Sequence, residues 1–457
     1  MNLVWLRNDL RLTDNPALWH ALENETPVLV VYCDCTDQDI MHQESEYKRQ
    51  FRLAHVNDLS TRLKLRGIEF MVLGCGDYQA VPERLQQLWQ THNVSHLYFN
   101  RNYLVNETGR DEAVLKLAAQ DKVQVHQYDA NYLLPPDAIR KNDGSMYHVF
   151  TPYKNKFIKQ LFDRYENPFK IHPRLSLNDD PKRQSTKKID DNKVGDWQVG
   201  EVAAFIALKA FTSNADYVKY RDRPDVTGTS QLSPYLAIGA ISAKQCLAYW
   251  LKVFGPEAFE SKWVSELIWR DYYANLCYQY PKLVRGQTFK VQAVDDWQNN
   301  MVYFDAWKKG ETGFPIIDAG IRQMLTTGWM HNRVRMLEAS FLTKLCLVDW
   351  RMGERFFMQH LIDGDFASNN GGWQWSSATG CDAAPYFRIF NPLTQSQKFD
   401  PDGSYIKKYL PELNNLNSKD VHKPSSAQIK VCGYVEPIFC YKERRLICLD
   451  WYNAKKT

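Results

Sequence analysis

Over the first 130 residues, short apolar runs alternate with longer mixed stretches. Five runs, 3–6, 28–33, 69–73, 96–100 and 123–128, have strand length, and stretches near 45–66, 79–92 and 108–120 are long enough for helices between them. Strands alternating with helices specify a parallel α/β sheet, here of five strands, because each parallel pairing needs a crossover. Residues 131–200 break the rhythm: prolines come first, then the polar stretch 178–196, which reads as a connector lying over the surface. From 201 to 457 the pattern is helical, with start signals such as Ser233-Pro234 and stop signals such as Gly328. The pattern predicts an α/β domain over 1–130, a connector over 131–200 and an all-α domain over 201–457.

Bulk properties narrow the class. A chain of 457 residues exceeds what one hydrophobic core supports, and 44% hydrophobic with 24% charged residues is a soluble globular balance. No apolar run approaches the ~20 residues of a membrane span, and the N-terminal MNLVWLRNDLRL lacks a signal peptide's apolar stretch. A cytoplasmic protein with no membrane partner is expected. The ten cysteines show no C-x-x-C pair, so reduced, mostly buried thiols are expected, and neither a disulfide framework nor a metal site is assigned. Residues 1–130 hold 13 basic and 18 acidic side chains, the remainder 44 and 35. That split places any polyanion on the second part, although a random surface split fits the count equally well. The G-x-G-x-x-G fingerprint is absent, so a Rossmann-type dinucleotide site is not supported.

The densest chemistry lies in 349–392. Asp363 and Asp365 flank Gly364 after the helical-looking run 356–362, followed by an Asn-Asn-Gly-Gly turn and by Trp373 and Trp375. Carboxylates at the negative end of a helix, beside indoles, are costly unless cations or donors meet them. The segment is therefore expected to hold something positive or hydrogen-bonding, and the tryptophans suggest an aromatic, redox-active group. Arg335, which shares a helical face with Asn332 and Met336 while Arg333 points elsewhere, is the candidate to neutralise Asp363 or Asp365. The pair suits a polar heterocycle or a purely structural role.

Three further constellations carry two readings each. Tyr217, Arg221 and the run Thr229-Ser230-Gln231-Leu232-Ser233 precede a helix for which Ser233 is the expected N-cap; this is an anion site or simply a capped helix. Glu266, Trp269, Arg270 and Tyr273 share a face at i, i+3, i+4 and i+7, suited to stacking a base and gripping a phosphate, or to an amphipathic helix with a Glu–Arg pair. Eight of the fourteen tryptophans fall between 263 and 375, as a large aromatic core or as stepping stones for an electron.

Together, LVWLRNDLRLTDN, TSQLSPYLAIGAIS, ELIWRDYYANL, TGWMHNRVRM, LIDGDFASNNGGWQW and APYFRIFNP resemble the DNA photolyase/cryptochrome family, most closely its bacterial-type class I cyclobutane pyrimidine dimer photolyases. The resemblance runs from the N-terminus to at least Val421. It implies an α/β antenna domain and a helical domain holding FAD, with light-driven electron transfer from excited, fully reduced FAD to a pyrimidine dimer in UV-damaged DNA. No nucleophile or metal is then needed. By the same resemblance Tyr217, Thr229, Ser230, Gln231, Leu232 and Ser233 hold the FAD phosphates and ribose. Arg335 and Asp363 form the pair against the flavin, with Gly364 and Asp365 beside it, and Asn369 faces flavin N5. Glu266, Trp269, Asn332, Met336 and Trp375 line the dimer pocket with Tyr273, Glu266 bonding the pyrimidine edge. Arg221, Arg270, Arg333, Arg388 and Gln395 contact the strand. Trp373, Trp350 and Trp297 match a relay that rereduces oxidised FAD.

Asn106 and Glu107 match the contacts of relatives that bind 5,10-methenyltetrahydrofolate as antenna, while Pro281-Lys282-Leu283-Val284-Arg285 departs from the expected second wall, so a deazaflavin or no antenna stays open. A monomer without an obligate protein partner is expected. The main alternative is a cryptochrome-type photoreceptor without repair; Glu266, Trp269, Met336 and only 66 residues after Asn391 stand against it. A (6-4) photolyase is disfavoured by Met336, where a histidine would be expected. A light-independent, FAD-stabilised DNA-binding protein leaves the tryptophans and pocket residues unexplained.

Overall fold

Five strands, β1 (Asn2–Leu6), β2 (Val28–Asp34), β3 (Glu69–Gly74), β4 (His96–Asn100) and β5 (Gln124–Tyr128), pair in parallel in the order β3-β2-β1-β4-β5 in this computed structural model. The structure describes residues 1–175, 193–213, 216–290 and 295–454. The expected strands lie within a residue of these bounds. All five residues of central β1 are buried, as a strand covered on both faces requires. Between the strands run the helices Glu46–Lys64, Val81–Thr91 and Val105–Gln120, with two short ones, Pro16–Ala21 and Thr36–Met41, that the pattern did not show. Leu3, Trp5, Leu29, Val31, Leu97 and Phe99 centre the sheet's core.

The stretch expected as a connector is only partly irregular. Residues 150–163 form the helix Phe150–Asp163, which buries Phe150, Tyr153, Phe157 and Leu161 and packs on the helix Lys262–Gln279. Its spacing of three and four between apolar residues is helical, but the surrounding prolines masked it. Most of the polar stretch 178–196 lies outside the described residues.

The chain forms two compact units whose bounds differ from the divisions at 130 and 200. One joins Met1–Ser213 to Ser230–Val284; the other joins Asn214–Thr229 to Arg285–Thr457. In the first, Arg11 is fully buried and donates to the carbonyls of Asp14, Ala130 and Gly239. Gly239 is in the left-handed region (φ 70°), and a Cβ there would meet the Asn8 carbonyl oxygen at 2.0 Å. Glu201 accepts from the backbone N–H groups of Leu12 and Thr13 and pairs with Arg62. The second unit is built around one aromatic-rich core that contains Trp297, Trp307, Trp350 and Trp373. None of the ten cysteines is in a disulfide, and eight of them are buried. Among the described residues no helix is long and apolar enough to cross a membrane.

Candidate functional site

In the second unit the chemistry gathers on three helices, Asn332–Ser340, Trp350–His360 and Phe366–Ser376. Arg335 reaches from the first of these: Nη2 donates to both oxygens of Asp363 at 3.0 and 2.8 Å, and Nε donates to the Met330 carbonyl at 2.8 Å. Asp363 is the partner, and it is 3% exposed against 24% for Arg335. The charge of the carboxylate is cancelled by a guanidinium that keeps an open side.

Asp365 departs from expectation. It lies not at a negative helix end but at the N-cap of the Phe366–Ser376 helix, where its side chain accepts from the Ser368 N–H at 2.9 Å and meets the positive end of the dipole. Residues 369–372, which read as a turn, run through the interior of that helix. Tertiary contacts override the weak propensity of Asn-Asn-Gly-Gly. Asn370 donates to Glu354 Oε1 (2.8 Å), Gln374 donates to Asn370 Oδ1 (2.9 Å), and Trp373 is buried in the core. The half-buried Asn369 donates from Nδ2 to the Glu354 carbonyl at 2.9 Å, which fixes the orientation of its amide. Glu354, which sequence reasoning missed, is pushed up to about 7 by burial. Nothing in the sequence marks it, because its partners lie 15 and 16 residues away.

A polar rim lies in the same unit. Arg333 pairs with Asp222 at 2.8 Å and lies over Phe399, Arg221 sits 3.7 Å from Asp222 and over the Tyr217 ring, and Thr229 closes the segment. Asn332 is exposed, with Nδ2 3.9 Å from Met336 Sδ. Arg388 is exposed and stands over Trp375 at 5.7 Å, Phe387 beside it is 61% exposed, and Gln395 is half-buried in the helix Pro392–Phe399. Lys344, itself buried, donates to the carbonyls of Pro385 and Arg388 and so ties down this segment.

The first unit carries the other constellations. On the Lys262–Gln279 helix, Glu266, Trp269, Arg270 and Tyr273 form the half-open face while their neighbours are buried. One face of Trp269 is covered by Phe150, stacked at 3.6 Å and 7°, and Tyr273 lies 5.3 Å away. Arg270 is committed to structure: it donates to the carbonyls of Asn131 (2.6 Å) and Leu236 (3.4 Å) and stacks on Tyr132. Next to it Asp271 is buried, accepts from the N–H groups of Leu133 and Leu134, and is pushed up to about 7 by burial. Ser233 is the first residue of the Ser233–Ile238 helix rather than its N-cap; Leu232 holds that place and Gln231 adopts a positive φ of 50°. Ser230 precedes them in the same unit. Asn106 Nδ2 lies 3.3 Å from His42 Nε2, and Glu107 is in the first turn of Val105–Gln120. Beyond it, Arg7 and Arg110 share Asp111, with both guanidinium groups against Trp5.

The residues of the second unit fit a planar heterocycle. A neutralised Arg–Asp pair with an open side and an oriented amide from Asn369 present donors and acceptors without a net buried charge. The family comparisons point the same way. Residues 2–170 match the model described as DNA photolyase, and 263–454 match the FAD binding domain of DNA photolyase. The chain is 40% identical to the deoxyribodipyrimidine photo-lyase of Escherichia coli (strain K12), over 100% of this chain and 99% of that one. Among solved structures it is similar to an archaeal photolyase from Sulfolobus tokodaii with two FAD molecules (31% identity, 99% of this chain and 100% of that one, TM-score 0.83). It is also similar to a cryptochrome from Synechocystis (27% identity, 98% of each chain, TM-score 0.82). The chain belongs to the DNA photolyase family.

Proposed function

We propose that this protein is a deoxyribodipyrimidine photo-lyase, which uses light to split cyclobutane pyrimidine dimers in DNA. The observation that carries the reading is the full-length likeness to an enzyme of that name. Bound, fully reduced FAD supplies the light-excited electron for ring splitting. The protein's own residues bind, orient and exclude water. Arg335 and Asp363 would hold the flavin ring, with Asn369, Gly364 and Asp365 beside it. Tyr217, Thr229 and Ser230 to Ser233 take the phosphates and ribose. Flipping the dimer out of the stack costs a few kcal/mol, less at a distorted lesion. Trp269, already backed by Phe150, offers the dimer a rigid face, and Trp375 stacks on the dimer as well. Glu266 accepts from the pyrimidine edge, and Asn332, Met336 and Tyr273 also contact the dimer. Arg221, Arg333, Arg388 and Gln395 contact the strand; Arg270 supports the pocket from behind through its two carbonyl bonds.

Trp373, Trp350 and Trp297 would carry electrons inward, with bound oxidised FAD as their acceptor. The ring of Trp373 lies over Gly353, in the helix that Trp350 begins, and Asn299 ties the Trp297 segment to Leu347 and Asp349. The antenna is methenyltetrahydrofolate, held by Asn106 and Glu107; adding it to the purified protein should produce its bound absorbance band, which Glu107→Ala should weaken. The protein acts as a monomer in the cytoplasm.

Light-dependent repair of a UV-irradiated thymine oligonucleotide by the reduced protein, with a dark control, tests the function. Recovery of thymine absorbance in the light alone establishes it. No recovery with FAD bound and reduced would favour a cryptochrome-type sensor, the reading that the Synechocystis likeness supports.

A further inference from the structure

Trp297, the last tryptophan of the relay, is 7% exposed, and its indole Nε1 is buried without a hydrogen-bond partner. An electron hole that stopped there would meet neither water nor a base. Trp350 is more enclosed still: it is fully buried, its Nε1 has no partner, and the Arg351 guanidinium lies 5.1 Å from its ring centre. That guanidinium is paired with Asp295 and Asp349, so burial away from water, not its charge, is what disfavours a hole on Trp350.

One more indole follows. Trp451, in the helix Tyr441–Asn453, places its ring centre 5.3 Å from that of Trp297 at an interplanar angle of 38°. It is half-buried, so water can reach its edge. Its helix is anchored to the same core: Arg444 donates to the Leu345 carbonyl at 2.8 Å, and Cys448 and Tyr452 are buried against Leu347. The next ring, Tyr452, lies 4.8 Å further on, but its hydroxyl donates to the Ser377 carbonyl, an acceptor too weak to take its proton on oxidation.

We propose that Trp451 is the outer terminus of the electron relay, a fourth tryptophan beyond Trp297. Trp451 gives one electron to oxidised Trp297, which returns to its neutral closed-shell form. Oxidised Trp451 then releases its indole proton to water. An external thiol restores it by donating a hydrogen atom, and two of the resulting thiyl radicals couple to a disulfide. Water stabilises the charge at the exposed edge and removes the proton, so return of the electron slows. This inference rests on the relay reading of Trp373, Trp350 and Trp297.

The test is time-resolved absorption of the tryptophanyl radical after a light pulse on the protein carrying oxidised FAD, compared among wild type, Trp451→Phe and Trp297→Phe. In Trp451→Phe the radical should still form, now on Trp297, but should decay several-fold faster and should not gain the deprotonated-indole spectrum. In Trp297→Phe no long-lived radical should form. An unchanged lifetime and spectrum in Trp451→Phe would overturn the fourth position while leaving the relay intact. A long-lived radical in Trp297→Phe would overturn the relay itself. In wild type illuminated without thiol, peptide mass spectrometry should find oxidised tryptophan at 451; oxidation confined to 297 would also overturn the proposal and needs no variant to fold.

Discussion

Asp271 has one carboxylate oxygen bonded to two backbone N–H groups and the other buried with no partner. Burial raises its folded value to about 7, so the folded state holds a proton that the unfolded chain has released. Its contribution is fully present below about pH 4 and is lost as pH rises through 7. Asp271→Asn keeps both acceptor bonds and removes the titration. Compared with that variant, wild type should lose up to roughly 4 kcal/mol between pH 4 and 8, read by denaturant titration across that range. The Arg335–Asp363 pair makes a sharper prediction. Arg335→Leu strands a buried carboxylate and should cost about 2–3 kcal/mol in the FAD-free protein, with loss of FAD retention on gel filtration. Both residues stood out in the sequence as charges among indoles, and Arg335 was legible as the neutralising cation. Which of two aspartates it meets was not legible, because that depends on where the 350–360 helix stops and the next begins.

At the level of elements, the sequence shows helices where apolar spacing is regular and misreads them where packing overrules composition. Four of the five strands were legible as mostly apolar runs between turns, and β5 as a short alternation of apolar and polar residues around Val123 and Val125. Residues 369–372 were not, since two asparagines and two glycines specify a turn until Asp365 caps a helix through them and Glu354 bonds Asn370. The contact between this helix and its predecessor can be tested at Gly353. A Cβ there would lie 2.1 Å from Cη2 of Trp373 and 2.8 Å from Leu342, so the indole or the helix would have to shift. Gly353→Ala should destabilise by about 1–3 kcal/mol or more and shift Trp373 fluorescence. Replacing Trp297 with Phe touches no such contact: photoreduction should be abolished while repair by prereduced enzyme continues, measured side by side. Loss of both together would count against the relay. Nothing in composition separated these tryptophans from the rest of the fourteen; the family likeness did, and Trp451 emerged only from the ring geometry.

For the whole molecule, Arg221, Arg333 and Arg388 all lie on the second unit. If Arg221, Arg333 and Arg388 neutralise phosphates, the affinity for UV-damaged DNA should fall steeply with salt, and Arg388→Ala should reduce the log–log slope by about 1. Fluorescence anisotropy over a salt series measures this, and a flat dependence would remove DNA from that face.

The buried Arg11 bears on how such proteins can be recombined. Its donors reach carbonyls at positions 14, 130 and 239, and Glu201 grips residues 12 and 13, so the sheet is finished by chain that comes much later. A chimera that swaps residues 1–130 for those of a relative would leave a guanidinium and a carboxylate buried among foreign partners. The exchangeable cassette is the discontinuous one, 1–213 together with 230–284. Crossover points chosen at its edges should yield folded hybrids where a cut at 130 or 200 yields aggregates.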